Sequence, residues 1–136
     1  MALQLKTSQY AAEQIHQARA SADARPNSAH DAFWRALKKL LHEVVTNEDL
    51  AFAAATALGR RGSVNLAGVR RAKLGRQRVF FLASREKQIA IVLMLGFRKE
   101  GDRNDAYVQI VRHIRRGEFD EQFREAGIAR PDLSST

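Results

Sequence analysis

A chain of 136 residues has room for one sizeable core, and 45% apolar with 28% charged residues is the profile of a globular protein, not a disordered one. The absence of cysteine excludes a disulfide-stapled secreted scaffold, and the longest apolar run, residues 89–97, is too short to span a bilayer. With no basic-then-apolar leader at the N-terminus and a net charge of +8, the expectation is a cytoplasmic protein with no membrane partner and a polyanion as its ligand.

Leu3 to Leu5 suggests a stub of strand, too short to decide. Residues 7–22 predict a first helix, opened by Thr7 or Ser8 and broken by Pro26 and Asn27. The second helix, Ser28 to Val45, is clearer: Phe33, Leu37, Leu40, Leu41 and Val44 recur at helical spacing, with Ser28 or Asn27 as cap. A third, over 48–58, opens on two acids that suit the positive helix end and closes at Gly59.

Beyond Gly59 the periodicity turns strand-like. Strands are predicted over 66–73, 77–83 and 88–96, with Gly75 and residues 84–87 as turns. The last strand is apolar nearly throughout and is expected at the centre of the sheet, covered on both faces. Asn104 is the predicted cap of a helix ending at Gly117, with Tyr107, Ile110, Val111 and Ile114 toward the core, and residues 118–127 suggest one more short helix. Helices, then strands, then a helix read as an α+β fold. The expectation is N-terminal helices packed on a small antiparallel sheet of three to four strands, in a single domain over 1–136. Within it, 1–58 is helical, 59–117 is a basic sheet and helix, and 128–136 is a tail.

The charge is concentrated. Residues 59–103 hold twelve basic side chains (Arg60, Arg61, Arg70, Arg71, Lys73, Arg76, Arg78, Arg85, Lys87, Arg98, Lys99 and Arg103) against Glu86, Glu100 and Asp102, so this third alone carries +9. One basic region on a near-neutral body favours nucleic acid over a merely soluble basic surface, because phosphate neutralisation releases counterions. No metal or cofactor is expected: His16, His30, His42 and His113 lack paired ligand spacing, and no nucleophile-elbow or Walker pattern occurs. Strand alternation puts Arg76, Arg78 and Phe80 on one face, opposite Val79 and Phe81, so that Arg71 or Lys73 of the neighbouring strand extends a cationic strip. Fixed guanidinium groups suit the extra negative charge of a phosphorane, while a lysine or tyrosine moves protons. A solvated strand face accounts for Arg76 and Arg78 about equally well, and spacing alone makes Tyr107 a half-buried core aromatic.

Three stretches of residues 67–116 carry a family resemblance: Gly75 to Phe81 (GRQRVFF), Leu95 to Lys99 (LGFRK) and the Asp105-Ala106-Tyr107 triplet with Arg98 nine residues before the tyrosine. Together with Arg115-Arg116-Gly117 they resemble the C-terminal half of RelE/ParE-superfamily toxins, above all the YhaV-type ribonuclease branch. The resemblance implies a type II toxin–antitoxin system and an endoribonuclease cutting mRNA, with or without the ribosome. It also implies a cognate antitoxin of AbrB-like class. By it, Arg78 and Arg98 hold the scissile phosphate, and Arg71 and Tyr107 take part in proton transfer or base stacking. Arg70 and Lys73 are register alternatives to Arg71, and Arg70, Lys73, Arg76, Lys99 and Arg103 are the RNA-binding set. Members of this family begin with a strand that completes the sheet, which here has to come from the first six residues. ParE-type members poison DNA gyrase instead of cutting RNA, so a gyrase-binding toxin and a plain nucleic-acid-binding domain are the competing readings.

Overall fold

In the computed structural model, which describes residues 2–54, 66, 68–131 and 133, the chain begins with a strand, β1 (Gln4–Thr7). Three helical segments follow: α1 (Gln9–Ala24), α2 (Ala29–Leu40) with a π-helical turn over Leu41–Val45, and α3 (Glu48–Ala53). Then come β2 (Arg70–Leu74), β3 (Gln77–Ser84), β4 (Ile89–Phe97), α4 (Ala106–Arg115) and α5 (Asp120–Ala126). The architecture is α+β, with one four-stranded sheet in the order β1-β4-β3-β2.

The sheet is mixed, which corrects the purely antiparallel expectation. β2, β3 and β4 pair antiparallel, but β1 lies parallel to β4, from Gln4 beside Ile89 to Thr7 beside Val92. Parallel pairing needs a long crossover, and residues 8–88 provide one. β4 is thereby central, with eight of its nine residues buried, as its unbroken apolar sequence indicated.

Side-chain alternation divides the interior into two cores. Phe80 and Leu82 of β3 join Ile89, Ile91, Leu93 and Met94 of β4 beneath α4 and α5. Val79, Phe81 and Ala83 join Ala90, Val92 and Leu95 beneath the N-terminal helices. A β-bulge breaks the strict period: Phe80 pairs with Met94 but Phe81 with Val92, leaving Leu93 as the extra residue, so Leu93 and Met94 turn to the same side. The bulged carbonyl of Leu93 accepts a 2.6 Å hydrogen bond from buried Ser8, whose Oγ also caps α1 by accepting from Ala11 N–H. Past the end of β1, Gln14 stands in for a neighbouring strand. Its amide donates to Leu95 C=O and accepts from Leu95 N–H, both at 2.8 Å.

Several predicted bounds move for identifiable reasons. The second helix was expected to be α-helical through Val45; instead Thr46 N–H bonds to Leu41 C=O, five residues back, and this wider turn buries Val45 where Val44 was expected. α3 ends at Ala53, followed by extended Ala54, because the Arg70 guanidinium takes up the carbonyls of Phe52 and Ala54; residues 55–58 of the expected helix lie outside the described residues. Leu66 and Val69 were expected in a strand. They are buried, but bridged by a Val69 N–H to Leu66 C=O bond with Gly68 at φ +98°, and β2 begins only at Arg70. The cap of α4 is Asp105, not Asn104: its carboxylate accepts from Tyr107 N–H at 3.1 Å, while Asn104 N–H bonds to Asp102.

Candidate nucleic-acid interface

The cationic residues meet where β3 begins and β4 ends, on the face of the sheet that carries α4. Phe80 fixes the register, since it points into the core beneath α4. Arg78 lies two residues before it and shares its side; Arg71 pairs opposite Phe80 and Lys73 opposite Arg78, so both point the same way. Arg76 sits exposed in the two-residue turn with Gly75, whose φ of +60° favours glycine. Arg78 donates to the carbonyls of Gly75 (2.9 Å) and Gln77 (3.1 Å), which holds its guanidinium over the turn.

β4 supplies the other wall. Gly96 pairs with Arg78, and α4 approaches so closely there that a Cβ on Gly96 would lie 2.8 Å from the Ala106 Cβ. That approach brings Tyr107 under Arg98, with the guanidinium 4.8 Å from the ring centroid, while the ring meets Phe80 edge-on at 5.5 Å. Tyr107 is therefore both the core aromatic that its spacing indicated and a neighbour of the cationic site.

Arg98 is firmly held. Its Nη1 donates to Asp105 at 2.6 Å and its Nη2 to Glu100 at 3.1 Å; the Arg98 side chain is 15% exposed, Asp105 4% and Glu100 82%. The Asp105 carboxylate also accepts from Lys99 N–H at 2.5 Å. Burial pushes the Asp105 carboxyl up, but the hydrogen bonds from Arg98, Lys99 N–H and Tyr107 N–H outweigh it and hold the group below its ordinary value. The same Asp105 bond raises Arg98 above its own ordinary value, so the pair is ionised at neutral pH.

The nine predicted residues thus separate. Arg71, Lys73, Arg78, Arg98 and Tyr107 share the α4-side end of the sheet, with Arg76 beside them in the turn. Arg70 points to the opposite face, where it holds the end of α3 and stacks 5.0 Å from the Phe52 ring; burial, then repulsion from Arg85, lowers its affinity for its proton. Lys99 lines a groove along α1 together with Tyr10 and Phe97. Arg103 lines a cleft between the β4–α4 loop and α4, and so do Arg98 and Tyr107. Sequence reasoning missed Asp105 as the organiser of Arg98. It also missed Arg112, Arg115 and Arg116, whose i, i+3, i+4 spacing was a readable signal for one helix face. Among the described residues no group of histidine or carboxylate side chains is arranged to hold a metal ion.

These features define a small α+β protein with a cationic face at one end of its sheet. No protein-family model matches the sequence. No curated protein matches it either. Among solved structures, one with a similar trace is the toxin–antitoxin complex RelBE2 of Mycobacterium tuberculosis, with a TM-score of 0.49 and 16% identity. The match covers 72% of this chain and all of the matched chain. At that distance no site residue is transferred from it. Among the described residues no helix is long and apolar enough to cross a membrane.

Proposed function

We propose that this chain is a ribonuclease toxin of the RelE/ParE kind, acting on mRNA in the cytoplasm and restrained by a cognate antitoxin. One observation carries the reading: Arg71, Lys73, Arg78 and Arg98 share one sheet face beside Tyr107, an arrangement suited to cleavage through the RNA's own 2′-OH. In that reaction the 2′-oxygen bonds to phosphorus as its proton is removed, the P–O5′ bond breaks, and the departing 5′-oxygen is protonated. Arg71 and Arg78 neutralise the phosphate, whose developing charge a fixed guanidinium matches. Arg98 contributes through its outer nitrogen: Glu100, 82% exposed, is a weak partner that a phosphate oxygen can replace, whereas buried Asp105 stays. Tyr107 already has a guanidinium over its ring, so proton transfer suits it better than base stacking. Lys73, exposed on the same face, is the second candidate for moving a proton. The antitoxin, of AbrB-like class by the sequence resemblance, would lay an acidic segment over this face and block it.

A nucleic-acid-binding domain without cleavage is the second reading, favoured by the two carboxylates already on Arg98. Incubating the purified protein with end-labelled RNA, with and without ribosomes, separates the two. The expected result is cleavage leaving 2′,3′-cyclic phosphate ends, reduced at least tenfold by Arg78→Gln and by Tyr107→Phe in variants that melt like the wild type. Intact RNA in both conditions sinks the ribonuclease reading, and inhibited DNA supercoiling in the same preparations moves the assignment to a gyrase-binding toxin.

A further inference from the structure

The cleft that begins at Arg98 and Tyr107 does not stop there. It runs on between the β4–α4 loop and the outward face of α4, and the whole cleft, that end included, measures about 1180 Å³. Val108, 42% exposed, and half-buried Val111 form an apolar floor. Arg112 and Arg116, one turn apart and about 6 Å along the axis, stand on one side. Arg103 stands on the other, its carbonyl accepting from Arg112 Nη2 at 3.2 Å. That bond fastens the loop to the helix and leaves the Arg103 side chain exposed on the rim. The carboxylates nearby are engaged: Asp105 and Glu100 by Arg98, Asp102 by Asn104 N–H.

Cations in the last turn of a helix complement its dipole, which is reason enough for Arg112. It explains neither Arg103, which belongs to the loop, nor an exposed valine in the first turn of α4. We propose that this cleft is a second RNA-binding surface. A single strand held at the sheet site runs on along α4, with backbone phosphates on Arg103, Arg112 and Arg116 and a base against Val108 and Val111. The inference rests on the RNA reading of the neighbouring site, because Arg98 and Tyr107 form the inner wall of the same cleft. That continuity, together with arginine forks that match phosphate, favours RNA over an acidic peptide.

The test uses the full chain and a fluorescein-labelled, mixed-sequence 2′-O-methyl RNA of twelve nucleotides, which lacks the attacking hydroxyl. Anisotropy is followed over a salt series. Each lost phosphate contact on a single strand lowers the slope of log K against log salt by about 0.7. The triple variant R103Q/R112Q/R116Q should therefore lose about 2 from the slope. The variant R103K/R112K/R116K, which keeps the charges, should retain it. A melting temperature unchanged by the glutamine set guards against misreading a folding defect. An unchanged slope in the glutamine variant overturns the proposal. So does an unchanged slope together with loss of binding to a labelled oligoglutamate peptide, which assigns the cleft to a protein partner. Failure of the parent reading looks different: wild-type protein then leaves natural RNA intact and Arg78→Gln does not weaken binding. If only the cleft proposal fails, cleavage and the Arg78 effect remain.

Discussion

Replacing Asp105 by alanine isolates the group on which the candidate site is built. Asp105 accepts from Arg98, from Lys99 N–H and from Tyr107 N–H, so it ties the end of β4 to the start of α4. Losing an N-cap costs about 1 kcal/mol. Removing one member of a buried ion pair costs about 3–5 kcal/mol, because the remaining charge is left without its partner. Arg98 is 15% exposed and keeps Glu100, which brings the ion-pair cost below that range, to about 2 kcal/mol, and the total to about 3 kcal/mol. For a domain of this size that corresponds to a fall in Tm of about 10 °C. Asp105→Asn keeps an acceptor for the helix cap but not the charge, and should lie between wild type and alanine. The pH dependence has a definite sign. The Asp105 carboxyl is held below its unfolded value, so its stabilisation is complete above the unfolded carboxylate pKa and is lost as pH falls through the lower folded value. Urea unfolding followed by circular dichroism at neutral pH and again at acid pH measures both effects. The wild-type advantage over Asp105→Asn should shrink on the acid side. An alanine variant within about 1 kcal/mol of wild type at neutral pH, well under the buried-pair cost, would refute the argument that Asp105 organises this end of the sheet.

Other perturbations test the surrounding framework. Gly96→Ala puts a methyl group 2.8 Å from the Ala106 Cβ, and overpacking of this kind costs about 1–3 kcal/mol; the double variant Gly96→Ala/Ala106→Gly should recover much of it in the same unfolding assay. Gln14→Leu leaves both backbone groups of buried Leu95 unpaired and should destabilise by about 1–3 kcal/mol. Hydrogen exchange at the Leu95 amide should accelerate in that variant, and unchanged protection would count against the strand-substitute role. Arg70→Gln and Arg71→Gln should differ in kind although the residues adjoin: the first removes donors from Phe52 and Ala54 and lowers stability, the second weakens RNA binding measured by anisotropy. Equal loss of RNA affinity in both would mean that the sheet faces are misassigned.

The fold was legible wherever a side-chain period was long enough to be unambiguous. The apolar run of β4 announced a central strand, and Phe33, Leu37 and Leu41 announced the buried side of α2. What escaped was set by contacts between residues distant in the chain. The four residues of β1 carry pattern enough only to suggest a stub of strand; what escaped was its parallel pairing, some 85 positions away, from Gln4 to Ile89. The π-helical turn is invisible to a 3.6-residue period, because its register differs only at Val45. Within the site, alternation alone grouped Arg78 with Phe80, and pairing then decided between Arg70 and Arg71. Asp105 went unrecognised because Asn104 and Asp105 are both acceptable caps by type, and only the position of Arg98 selects between them.

The electrostatics of Arg98 give the strongest constraint on how the site works. The cluster of Arg98 with Asp105 and Glu100 carries no net positive charge, so on the proposed reading capture of a polyanion falls to Arg71, Lys73, Arg76 and Arg78, which have no carboxylate partner among the described residues. Arg98 instead offers geometry: anchored by buried Asp105 and stacked on Tyr107, it loses little conformational freedom when its outer nitrogen exchanges Glu100 for a phosphate oxygen. The two roles separate by experiment. Charge removal at Arg78 should slow association and flatten its salt dependence. Removing the ion pair as a unit, in Arg98→Gln/Asp105→Asn, leaves the net charge unchanged; it should leave association nearly unchanged and act on the bound complex, through faster dissociation and a lower kcat. If that charge-neutral double variant instead reproduced the Arg78→Gln association defect, the division between capture and positioning would fall.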